Sequence, residues 1–179
     1  MDKESLREHM SQRLAELSLD QRKAKSILIQ RQLMTYLNEI HPTSLCVFIS
    51  TALEPYLDLT VLAGLVPDLY CPKYVDNGYV FVRFSADMNL VDGPYGIKEP
   101  ESALVIEDDV YLDKGTMFLV PGMAFSESGE RLGHGKGIYD RLLAEVNGLK
   151  VGLCFDVQLT DECVNQEHDI RMDKVFSGL

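Results

Sequence analysis

Four short apolar runs decide what this chain can become. Residues 44–50 (SLCVFIS), 69–71 (LYC), 116–120 (TMFLV) and 150–155 (KVGLCF) lack the strict apolar–polar alternation of a half-exposed strand. A strand that is apolar throughout has both faces covered, which is the habit of a parallel sheet held between layers of helix. Helical patterns fall between and before these runs. Leu6, Met10, Leu14 and Leu17 recur at spacings of three and four over residues 3–17. Ser18-Leu-Asp-Gln21 reads as a capping box that opens a second helix, which is expected to run to about Ile40 and end at His41-Pro42. Its apolar side is expected to hold Ile27, Leu33, Met34, Leu37 and Ile40. Further helices are expected over residues 56–65 and 138–146, and Asp76-Asn-Gly78 between apolar flanks is a hairpin turn. Strands alternating with helices give an α/β fold, a single domain over residues 1–179 with a mostly parallel central sheet flanked by helices.

The formal charge of −11 disfavours nucleic acid or an anionic membrane surface as the main partner. No apolar run nears the roughly 20 residues that span a bilayer, and the opening MDKESLREHM lacks the apolar centre of a secretory signal. Cys46, Cys71, Cys154 and Cys163 show no C-x-x-C spacing and read as buried thiols in a reducing, cytoplasmic compartment. The basic residues of the first two helices (Lys3, Arg7, Arg13, then Arg22, Lys23, Lys25, Arg31) read mostly as a solvated face, and Glu107, Asp108 and Asp109 likewise.

Cations concentrate instead in one glycine-rich stretch. Residues 120–141, VPGMAFSESGERLGHGKGIYDR, carry Gly129, Gly133, Gly135 and Gly137 among Arg131, His134, Lys136, Tyr139, Asp140 and Arg141. A Walker A loop requires glycine where Glu130 stands and Ser or Thr where Gly137 stands, and the dinucleotide-binding G-x-G-x-x-G pattern requires glycine where Asp140 stands. Neither motif is present. A strand leading into glycines and cations still suits a phosphate: the loop amides cradle oxygens, Lys136 supplies a point charge, Arg131 a fork, and Asp140 a magnesium ligand. Glu54 follows the first strand, either as a ligand contact or as an acid before the next helix. Residues 85–100 form a loop of the length used for lids.

Over Pro121 to Arg141 the chain resembles the 5-formyltetrahydrofolate cyclo-ligase family, through P-G-x-A-F-x-x-x-G-x-R-L-G-x-G-x-G-x-Y-D-R. Lys3-x-x-x-Arg7, Glu54, Gly96-Ile-x-Glu99-Pro100, and His168-Asp169 with Asp173 extend the resemblance. It implies an architecture like that of ribose-5-phosphate isomerases and CoA transferases. It also implies a reaction: ATP phosphorylates the formyl oxygen of 5-formyltetrahydrofolate, N10 closes the ring, and 5,10-methenyltetrahydrofolate, ADP and phosphate result. By the same resemblance Lys3, Arg7, Arg131, Leu132, Gly133, His134, Gly135, Lys136, Gly137, Ile138 and Tyr139 bind ATP. Arg131 and Lys136 act catalytically, Ile49, Glu54 and Tyr139 contact the folate, and Asp140 and Asp173 hold Mg²⁺. The expected partners are ATP and a folate, polyglutamylated or not, bound by a monomer. His134 and Ile138 depart from the aromatic residues common at those positions. A catalytically silent folate- or nucleotide-binding relative and a sugar-phosphate isomerase are the competing readings.

Overall fold

In the computed structural model, which describes residues 1–101, 109–163 and 169–179, two helices precede the sheet. Helix α1 (Lys3–Ala15) starts where Asp2 accepts from the amides of Glu4 and Ser5, and it buries Leu6, Met10 and Leu14. Helix α2 (Leu19–Ile40) opens on the expected capping box and stops at His41, which takes the left-handed conformation at φ 51°. Its buried stripe is Ser26, Ile29, Leu33 and Leu37. Ile27 and Ile40 face solvent instead, at 55% and 41% exposure. The expected stripe was rotated because several apolar residues of α2 lie outside its contact face.

The chain then alternates between strands and short helices. In order come β1 (Ser44–Cys46), α3 (Leu59–Ala63), β2 (Asp68–Val75), β3 (Gly78–Arg83), β4 (Leu90–Asp92) and β5 (Lys98–Pro100). After these come α4 (Asp109–Leu112), β6 (Thr116–Val120), β7 (Ala124–Phe125), β8 (Arg131–Leu132), α5 (Ile138–Leu142), β9 (Leu149–Leu153) and β10 (Lys174–Phe176). The main sheet has the order β10-β9-β6-β1-β2-β3, parallel except for the β2–β3 hairpin. Asp76 and Asn77 close that hairpin with φ 45° and 69°, as a turn with two left-handed residues requires.

Strand β6 shows why its sequence is apolar throughout. Met117 and Leu119 enter the cluster that holds Leu6, Met10, Leu14, Ile29 and Leu33 of the first two helices. Phe118 and Val120 enter the opposite cluster with Leu142 and Leu143. Both faces are covered, so the strand is apolar after Thr116, whose buried hydroxyl has no hydrogen-bond partner.

Several elements are shorter than expected. β1 keeps three ladder residues, and residues 48–50 run on outside the ladder with Phe48 and Ile49 still buried in the core. α3 starts at Leu59, since the amides of Tyr56 and Asp58 are tied to the side chains of Ser26 and Gln30 and Asp58 caps the helix. The expected long loop contains the antiparallel β4–β5 pair and a tight turn at Pro94–Gly96. Of the acidic runs, Glu107, Asp108, Glu167 and His168, and the side chain of Asp109, lie outside the described residues.

Candidate active site

Chain connectivity places the site. β1 and β6 are neighbours, but the chain leaves β1 toward β2 on one side and leaves β6 toward β9 on the other. Segments that diverge beyond the ends of adjacent parallel strands open a crevice, the place where open α/β sheets bind ligands. Here the crevice is a cleft of about 470 Å³, within the usual range for small-molecule sites. Its walls are Thr51–Glu54 after β1, Tyr95–Ile97 of the β4–β5 turn, and the glycine-rich stretch from Arg131 to Asp140. A larger depression of about 730 Å³ lies between α2 and the segment at Tyr56 and Asp58. Its polar groups Ser26 and Gln30 are already committed to the main chain of residues 56 and 58, so we place the chemistry in the smaller cleft.

The glycine-rich stretch is not a bare loop. β7 and β8 pair as a small hairpin, and Met123 donates to the Leu132 carbonyl at 2.7 Å. Gln158, buried at 1% exposure, donates to the carbonyls of Gly122 (2.8 Å) and Met123 (3.2 Å). That glutamine is a support the sequence did not mark, since a single polar residue in a turn carries no pattern. Gly135 (φ 86°) and Gly137 (φ 60°) take left-handed backbone that other residues rarely adopt.

Arg131 is nearly enclosed, its side chain 4% exposed. One terminal nitrogen donates to the Pro121 carbonyl at 3.2 Å and the other to Asp140 Oδ1 at 2.7 Å, while its Nε has no partner. This makes Arg131 a strut across the loop rather than the free fork expected for phosphate. Lys136 is exposed, with Nζ 5.9 Å from the Tyr95 ring centre on the opposite wall. Tyr95 was not singled out in the sequence.

Glu54 is buried in the cleft, 9% exposed at its side chain, with Oε2 accepting from the Thr51 amide at 2.8 Å. Burial raises its carboxyl above the usual range, an effect opposed by the Thr51 hydrogen bonds. Its other oxygen, Oε1, stands 3.8 Å from His134 Nε2, beyond hydrogen-bond reach. The His134 imidazole is held below its ordinary range by burial first, then by Arg131 and Arg7. Tyr139 is pushed well above the usual phenol range by burial and by Glu54.

Both chain ends reach this loop. Arg7 of α1 donates from Nε to the Gly133 carbonyl at 2.9 Å and lies against Gly135. One helical turn earlier, Lys3 pairs with Asp169 at 2.6 Å. Asp169 is therefore the tail carboxylate that pairs with Lys3. Asp173 accepts from the Lys150 amide at 2.7 Å and lies 3.6 Å from that lysine's ammonium, where it aligns β10 on β9. Two other expected residues turn away. Ile49 and Leu132 are core residues, 8% and 4% exposed, packed under the helices.

The comparisons with known proteins come down on one side. The model of the 5-formyltetrahydrofolate cyclo-ligase family matches residues 1–178. The chain belongs to that family. Among its relatives is the mouse 5-formyltetrahydrofolate cyclo-ligase, 26% identical across 97% of this chain and 92% of that protein. The enzyme of the same name from Escherichia coli K12 is 28% identical across 93% of this chain and 94% of its own. The NMR structure of Aquifex aeolicus 5,10-methenyltetrahydrofolate synthetase superposes with a TM-score of 0.82 at 29% identity, covering 99% of this chain and 90% of that one. At 20% identity, the Mycoplasma pneumoniae 5,10-methenyltetrahydrofolate synthetase shares the fold with a TM-score of 0.77, over the whole of both chains.

Proposed function

We propose that this chain converts 5-formyltetrahydrofolate to 5,10-methenyltetrahydrofolate, using ATP and releasing ADP and phosphate. The observation that carries the reading is the junction of two unlike half-sites in one cleft. On one side the buried Glu54 offers Oε1 as a free acceptor, suited to the N–H edge of a pterin. On the other, Lys136, Arg7 and the glycine backbone present positive charge and donors, suited to a triphosphate. A formyl group on the pterin would then lie between its ring and the γ-phosphate.

The placement of each residue supports a task for it in this reading. Lys136 and Arg7 bind the phosphates, with Lys3 one turn further along α1. Arg131 fixes Asp140 and the loop. The β4–β5 turn with Tyr95 forms the wall that limits water access, which matters because water competes for an activated formyl group. Among the described residues no three metal-ligating side chains converge. That suits Mg²⁺, which is held by one or two carboxylates together with phosphate oxygens. Asp140 and Asp169 would hold it, and it would neutralise phosphate charge. No helix among the described residues is long and apolar enough to cross a bilayer.

The test is direct. Purified protein incubated with 5-formyltetrahydrofolate, ATP and Mg²⁺ should generate the near-ultraviolet absorbance of the methenyl product, with stoichiometric ADP. Folate or nucleotide binding without product at high protein concentration would leave the silent binding relative as the better reading.

A further inference from the structure

We propose that His134 receives the N10 proton during ring closure and passes it to the departing phosphate. The inference rests on the cyclo-ligase reading and goes one step deeper, to the proton that ring closure must release.

The step balances as follows. The N10 lone pair attacks the formyl carbon and forms the N10–C bond. The C–O bond to phosphate breaks, and phosphate leaves with the electron pair. The N10 proton must go elsewhere, and the phosphate needs one at neutral pH. A group set between the pterin and phosphate sides can make both transfers, and His134 has that position. Its Nε2 is 3.8 Å from Glu54 Oε1 on the pterin side, while the carbonyl of the preceding Gly133 holds Arg7 on the phosphate side.

The other polar groups of the cleft are unsuited. Arg131 and Lys136 are donors only. Asp140 is engaged by Arg131, while Glu54 gives Oε2 to the Thr51 amide and Oε1 to the N–H edge of the pterin in the reading above. The Tyr139 phenol is pushed well above its usual range and stays protonated. The charged groups facing His134 are Arg7 from α1, Arg131 from β8 and Glu54 from the segment after β1. Burial first, and then the two arginines, favour the neutral imidazole, the form that can accept a proton.

The experiment separates the chemical steps. In single turnover with excess ATP, ADP and methenyl product should appear together in the wild type. In H134N, a variant that keeps a polar side chain but cannot titrate, ADP should still form in the first turnover. The methenyl absorbance should lag behind it, by about 10-fold or more, in line with the loss of a general base. The kcat profile should lose its acid limb, which in the wild type lies below the ordinary histidine range, and imidazole should partly restore H134A. If ADP and product slow in step, or neither slows, the proposal is overturned while the cyclo-ligase reading stands. A wild type without product would fail both.

Discussion

Arg131 decides whether this loop is held from within or by its ligand. Replacing it with methionine keeps an unbranched stem but removes the donors to Pro121 and Asp140, which measure 3.2 and 2.7 Å. The arginine side chain is 4% exposed and Asp140 29%, so water replaces these partners incompletely. A hydrogen bond to a charged group contributes about 1.5–3 kcal/mol, and an orphaned buried acceptor costs about 1–3 kcal/mol. Discounted for the exposure of Asp140, R131M should lose about 3 kcal/mol. D140N, which keeps the Oδ1 acceptor, should lose about 1 kcal/mol by the same reasoning. The double variant should lose about 3 rather than 4 kcal/mol, a coupling of about 1 kcal/mol. For a chain of this size R131M should lower Tm by roughly 6–12 °C. With no tryptophan in the sequence, urea unfolding followed by far-ultraviolet circular dichroism is the suitable assay. If R131M stays within about 1 kcal/mol of the wild type, or the two losses simply add, the strut argument fails and Arg131 is free for phosphate.

Gly129 has φ 91°, and a Cβ there would collide with the Met172 carbonyl oxygen, so G129A should cost about 3 kcal/mol or more by denaturant unfolding. A loss below about 1 kcal/mol would show that the hairpin and tail adjust independently. The two tail carboxylates should separate by function: D169N should raise the Mg²⁺ concentration for half-maximal rate by about 10-fold. D173N should leave that concentration unchanged and cost about 1 kcal/mol of stability, because its ion pair is half exposed. Equal effects on the magnesium dependence would return Asp173 to the metal site.

Much of the fold could be read locally, because local physics fixes it. The Ser18–Gln21 capping box, the Asp76-Asn-Gly78 hairpin and the covered strand at residues 116–120 each rest on neighbouring residues. The misread elements depend on partners far along the chain. α3 loses its expected first turn to the side chains of Ser26 and Gln30, some thirty residues earlier. β10 has three residues and exists because Lys150 and its neighbours in β9 offer an edge. No periodicity could announce it.

The same division runs through the site. The glycine-rich stretch is contiguous, so its residue types stood out. The tail could not be assigned by residue type, since Asp169 and Asp173 are both aspartates near a basic neighbour. What separates them is a tertiary anchor: Met172 donates to the Gly129 carbonyl at 2.7 Å and Asp173 to the Lys150 carbonyl at 2.7 Å. Those two bonds run the tail alongside the hairpin and β9, leaving Asp173 at Lys150 just before β10 and Asp169 at Lys3. Arg7 meets Gly133 through a separation of 126 residues. A site assembled from both chain ends forms only once the sheet has closed, so lesions at Gly129 or Gln158, outside the cleft lining, should reduce activity by displacing residues that sequence alone would leave untouched.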